Sequence, residues 1–163
     1  MISSKNKEAL SIAYAAVIAA IYVVLTLIFA PISYGPIQVR VSEALCVLPI
    51  FTPAAIPGIF IGCLLANAVG GAIIWDVIFG SLASLAAAYI SYLFRRKRVL
   101  AYLSPIVINA LVVPFVLKYA YGIEDMIWYM MFTVAVGEII SVGVFGSILS
   151  IVLEKYRGIL FRE

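Results

Sequence analysis

The sequence predicts an all-α integral membrane protein: a compact bundle of about six transmembrane helices forming one domain over residues 1–163, with both termini cytoplasmic. Three observations carry the prediction. Hydrophobic residues make up 66% of the chain and charged residues only 12%, whereas a soluble domain needs a charged exterior. Residues 10–30 contain no charge at all, and about 20 apolar residues suffice to cross a bilayer. The basic residues, finally, gather in patches that alternate with the apolar runs.

The first run, residues 10–30, is too long for a secretory signal and no small-residue cleavage site follows it, so it is expected to be a retained span. Next comes Pro31-Ile-Ser-Tyr-Gly-Pro-Ile-Gln-Val-Arg-Val-Ser-Glu43. Pro31, Gly35 and Pro36 oppose a helix across it, and it sets a phenol, an amide, a guanidinium and a carboxylate between apolar stretches. This segment is expected to form part of a rim or lid. Residues 41–69 are broken by Pro49, Pro53, Pro57 and Gly58 and fall short of the roughly 40 residues that two full crossings need. Two short helices are expected there, as two short spans or as a re-entrant hairpin. Long apolar runs follow at 73–93, 99–116 and 126–153.

Lys5 and Lys7, then Arg95, Arg96, Lys97 and Arg98, then Lys155, Arg157 and Arg162 hold nine of the 11 basic residues. These patches belong on the cytoplasmic side. Arg40 and Lys118 fall on the other side, with Glu43, Asp76, Glu124 and Asp125. Tyr119, Tyr121, Trp128 and Tyr129 flank the expected outer loop, and Tyr89, Tyr92, Tyr102 and Tyr156 the inner ends, as interfacial aromatics do. The basic cluster at Arg95 is expected to meet anionic membrane lipid, not nucleic acid.

With no histidine and two cysteines, Cys46 and Cys63, the chain offers no His/Cys zinc site and no histidine-based triad. No metal or other cofactor is expected. It has no Gly-x-Ser-x-Gly and no clustered metal ligands, so it is read as no enzyme.

Ionisable and amide groups within apolar helices mark the expected small-molecule site. Glu138 stands near the middle of the last run, where a carboxylate costs a few kcal/mol and usually has a functional reason; a hydrogen-bonded structural glutamate is the alternative. Asp76 either caps its helix or meets ligand. Trp75 is an interface anchor or a stacking surface. Asn67 and Asn109 offer donors and an acceptor to a heterocycle edge or to a neighbouring helix. Gln38, Arg40 and Tyr34 complete the polar set, with Glu43, which is spaced to pair with Arg40. Gly58, Gly62, Ala66 and Gly70 form a small-residue face, as do Ala9, Ala13, Ala16 and Ala20 with Ala15 and Ala19 alongside.

Ala15/Ala19 and Ala16/Ala20, followed by Tyr22-Val-Val-Leu-Thr-Leu27, resemble the first helix of the substrate-binding S components of energy-coupling factor (ECF) transporters. Ser33-Tyr-Gly-Pro-Ile-Gln-Val-Arg-Val-Ser-Glu-Ala-Leu45, Pro57-Gly-Ile-Phe-Ile-Gly-Cys-Leu-Leu-Ala-Asn67 and Asp76-Val-Ile-Phe-Gly-Ser-Leu-Ala83 are similar to the queuosine-precursor QueT group. The resemblance covers nearly the whole chain. It implies a six-helix S component in the cell membrane of a prokaryote, capturing a 7-deazaguanine queuosine precursor or queuine from outside. It implies a membrane T subunit, docked on Ala15, Ala16, Ala19 and Ala20, and two cytoplasmic ATPases as partners. The absence of a Gly-x-x-x-x-Gly-Lys-[Ser/Thr] loop agrees with energy supplied by another chain. The competing expectation is a self-sufficient, proton-coupled secondary transporter with Glu138 as proton carrier.

Overall fold

The computed structural model describes residues 4–33 and 39–160, and every long regular element among them is helical. No proline, glycine or charge interrupts the chain between Leu10 and Ile28, and helix α1 (Ser4–Ile28) runs straight through it. At 1.5 Å per residue it is roughly 37 Å long, more than the hydrocarbon layer of a bilayer. A single further turn, α2 (Ala30–Ser33), includes Pro31. Pro31 is tolerated there because a proline in a first turn forfeits no hydrogen bond. Tyr34 and Gln38 lie outside the described residues. The Val39 N–H donates to the Ile32 carbonyl at 3.2 Å, tying together the two flanks of that stretch.

The proline-broken region forms two short helices, as expected, but the first of them is 3₁₀ (Val41–Ile50). Pro49 lies inside it, and Ser42 through Ile50 are all buried. At about 2 Å per residue it spans about 20 Å, where an α-helix of the same residues would span about 15 Å. Helix α3 (Ala55–Val69) returns antiparallel to it. One end of this hairpin is Arg40, hydrogen-bonded to Asn67. The other is the turn at 51–54, where the Phe51 ring lies 5.9 Å from the Arg157 guanidinium. The hairpin therefore runs through the depth of the bundle.

Helices α4 (Ile74–Leu93) and α5 (Arg98–Tyr119) pack side by side. Pro105 inside α5 has no N–H to offer the Ala101 carbonyl. The Ser91 hydroxyl of α4 donates to that carbonyl at 2.7 Å instead, and Ser104 donates back to Ala87 at 2.7 Å. Side chains of a neighbouring helix thus satisfy the backbone a proline frees, as burial away from water demands.

The last apolar run extends from Ile127 to Leu160 as α6 (Ile127–Glu138), a π-helical stretch (Ile139–Gly146) and α7 (Ser147–Leu160). The π-stretch packs on the 3₁₀ helix. Gly146 permits the approach, since a Cβ there would sit 2.8 Å from Val47 Cγ1. Around this contact lie Leu45, Cys46, Leu48 and Ile59 on one side and Val47, Ile50, Ala101 and Val142 on the other. Cys46 and Cys63 are free, buried thiols.

Small residues set the α1–α3 contact. A Cβ on Gly58 would lie 2.8 Å from the Ala15 carbonyl oxygen, and one on Gly62 2.7 Å from Tyr22 Cβ. This splits the alanine face of α1. Ala19 is buried and Ala15 half-buried, both turned toward α3, whereas Ala9, Ala13, Ala16 and Ala20 are exposed. In the α3 row, Gly58, Gly62 and Ala66 are buried, while Gly70 ends the helix in the open.

The basic patches meet at one end of the bundle. Arg98 pairs with Glu154 at 2.6 Å, and Tyr14 donates to the Leu160 carbonyl at 2.5 Å. Among the described residues, four helices are long and apolar enough to cross a membrane: Lys5–Ile28, Ile74–Leu93, Arg98–Tyr119 and Ile127–Leu160. Val41–Ile50 and Ala55–Val69 are apolar but shorter.

Candidate functional site

Polar side chains from six helices fill the interior at and below the end opposite the basic patches. Arg40 precedes the 3₁₀ helix in extended conformation (φ −91°, ψ 97°), which sends the chain inward. Its Nη2 donates to Asn67 Oδ1. Asn67 Nδ2 in turn faces the Asp76 carbonyl at 3.4 Å and Cys63 Sγ at 3.6 Å. Asp76 lies in the first turn of α4, where the helix dipole favours an anion. No side chain caps that helix; the Asp76 carboxylate accepts from the Tyr121 hydroxyl at 3.0 Å. Gly80 gives both groups room: a Cβ there would lie 3.0 Å from Asp76 Oδ1 and 3.2 Å from Asn67 Nδ2.

Glu43, expected on a rim, is 0% exposed. Residues three apart eclipse in a 3₁₀ helix, so Cys46 stands over Glu43 and its thiol donates to Oε2 at 2.9 Å. The Tyr22 hydroxyl, from the middle of α1, donates to Oε1. One turn along α1, the Thr26 hydroxyl donates to Ser42 Oγ at 2.7 Å. The carboxylate of Glu43 thus binds a phenol and a thiol, while the Arg40 guanidinium reaches the Asn67 amide. The charge of Arg40 still acts on both Glu43 and Asp76.

Glu138 closes α6 just before the π-stretch and is buried. Asn109 Nδ2 of α5 donates to its Oε1 at 2.9 Å, and its Oε2, equally buried, has no hydrogen-bond partner among the described residues. Glu43 and Arg40 are its charged neighbours in this interior. Three carboxylates, Glu43, Asp76 and Glu138, and one guanidinium therefore share a low-dielectric interior, where like charges repel strongly and each needs donors.

Of the residues singled out in the sequence, Arg40, Glu43, Asn67, Asp76, Asn109 and Glu138 come together in this interior. Trp75 does not: it is 55% exposed and stacks on Phe79 at 6.1 Å. With Phe115 and Tyr119 it lines an outward, apolar groove of about 500 Å³ between α4 and α5. Tyr22, Cys46, Gly80 and Tyr121 join the network without having been expected in the site. Tyr22 is a phenol in mid-span, a position interfacial anchoring cannot explain, and that was the available signal.

A carboxylate accepts two N–H groups side by side, and amides supply complementary donors and acceptors.

No solved structure matches this chain. It is 40% identical over 84 residues to a curated protein of Lactococcus lactis subsp. cremoris (strain MG1363) named "Queuosine precursor transporter QueT". The aligned stretch is 50% of this chain and 48%, about half, of that relative's length. The family model described as "QueT transporter" matches residues 12–155, and this chain therefore belongs to the QueT transporter family.

Proposed function

We propose that the protein is the substrate-capture S component of an ECF-type importer and takes a 7-deazaguanine queuosine precursor, or queuine, from the outer side of the cell membrane. The observation that carries this reading is the buried Oε2 of Glu138, left without a partner among the described residues beside the Asn109 amide in a QueT family member. A deazaguanine presents adjacent N–H donors on its guanine-like edge, which a carboxylate accepts as a pair. The second carboxylate, Glu43 or Asp76, suits the positive charge of an aminomethyl precursor.

In this reading the 41–69 hairpin crosses twice, making six spans, and the basic end faces the cytoplasm with both termini. The Arg40–Asn67–Asp76–Tyr121 chain then lies toward the outside, above the Glu138–Asn109 pair. A T subunit docks on the exposed Ala16/Ala20 face of α1, and two partner ATPases supply the energy. Calorimetric titration of the purified chain with 7-aminomethyl-7-deazaguanine and with queuine is expected to give tight, ATP-independent binding. Uptake of either base into liposomes holding this chain alone, driven by a pH gradient, would instead establish a secondary transporter.

A further inference from the structure

At the basic end of the bundle, Arg95, Arg96, Arg98 and Arg157 surround a single cavity of about 490 Å³, completed by Tyr92 and Phe51. Four cations crowding one hollow repel each other unless an anion sits among them. Among the described residues the protein supplies little: no acid lines the cavity, and the ion pairs to these arginines are those of Glu154, with Arg98 at 2.6 Å and Arg157 at 3.4 Å. Arg95 is held in place by its own turn, donating to the Tyr92 carbonyl at 3.1 Å with its guanidinium 4.2 Å from the Tyr92 ring centre. The N-terminus of α5 opens onto the same place. It has no side-chain cap and no acid in its first turn, so its dipole adds positive potential.

We propose that this cavity is a discrete site for the phosphate of an anionic phospholipid, one per chain. Guanidinium forks and a free helix N-terminus are the donors that phosphate oxygens require. Two features favour a lipid over a soluble phosphate. The hairpin turn supplies an apolar wall, Ile50 and Phe51, where a glycerol backbone would lie. Just beyond the arginines, Leu93, Phe94, Val99 and Leu100 are exposed apolar side chains, ready to carry acyl chains. The site ties the tip of the hairpin to α4, α5 and α7 through one headgroup. It stands apart from the buried polar interior and does not rest on the substrate assignment.

Native mass spectrometry of the full-length protein, titrated with phosphatidylglycerol or phosphatidylcholine in mild detergent, tests it. One phosphatidylglycerol is expected to be retained per chain, and no phosphatidylcholine. The double variant R95Q/R96Q should bind phosphatidylglycerol roughly 30-fold more weakly, as loss of two interfacial cations implies. E154Q, which frees Arg98 and Arg157 for the ligand, should bind it roughly fivefold more tightly; it carries the test if the double variant inserts poorly. Equal retention of the two lipids, or an E154Q variant no tighter than the parent, overturns the proposal. Displacement of phosphatidylglycerol by an equimolar amount of inorganic phosphate overturns it too, assigning the cavity to a soluble anion.

Discussion

Replacing Glu138 with glutamine exchanges one carboxylate oxygen for an amide NH₂ and leaves the side chain's shape almost unchanged. The Asn109 bond can survive, because a glutamine Oε1 accepts the same 2.9 Å donation from Nδ2. What changes is the atom that has no partner among the described residues, Oε2: an acceptor becomes a donor. If ligand N–H groups meet that atom, the variant loses a charge-assisted hydrogen bond and gains a donor–donor clash. Such a bond is worth about 1.5–3 kcal/mol, so Kd should rise roughly 10- to 150-fold. Stability without ligand should move the other way, since an amide is cheaper to bury than a carboxylate lacking donors on one oxygen. A gain of about 1 kcal/mol would raise Tm by about 2–4 °C in a chain of this size. Titration calorimetry and thermal unfolding in detergent read the two effects separately. Affinity within twofold of the parent, together with a lower Tm, would refute the reasoning and make Glu138 a structural residue.

Three further outcomes follow from the packing. Gly62→Ala places a methyl 2.7 Å from Tyr22 Cβ; overpacking of this kind costs about 1–3 kcal/mol, so thermal unfolding should shift down by several degrees, and an unshifted Tm would mean that α1 and α3 separate easily. Tyr121→Phe removes the 3.0 Å donation to Asp76 and the acceptor for the Ile73 N–H. The half-exposed setting limits the cost to about 1 kcal/mol, seen as faster amide exchange at the start of α4; unchanged exchange would show the contact to be idle. Ala16→Phe with Ala20→Phe should abolish co-purification with a T subunit while leaving Tm intact, because both alanines are exposed, whereas Ala19→Phe should lower Tm because that residue is buried. Retained co-purification of the double variant would move the docking face elsewhere.

Much of the scaffold was legible because hydropathy and proline placement are local signals. The run at 73–93 became α4 (Ile74–Leu93), 99–116 became α5 (Arg98–Tyr119), and the prolines at 49, 53 and 57 marked the two short helices. Hydropathy does not distinguish helices that bond to the third, fourth or fifth neighbour, so the 3₁₀ and π stretches were invisible. The same blindness misplaced Glu43: its burial depends on Tyr22, a residue of another helix, meeting it across the bundle. Asn109 and Glu138 were each recognisable as costly in an apolar helix, but that they pair with each other is a property of the fold. Trp75 illustrates the converse, since an aromatic next to a buried acid need not share its direction.

The π-stretch directly after Glu138 makes rotational phase a variable separate from length. Each residue of an α-helix advances about 100° around the axis, so deleting one residue between 139 and 146 would swing α6 by that angle relative to α7. Glu138 would leave Asn109 and point elsewhere, although neither span nor hydropathy had changed noticeably. A single-residue gain or loss in this stretch would accordingly re-aim Glu138 without substitution of any polar group.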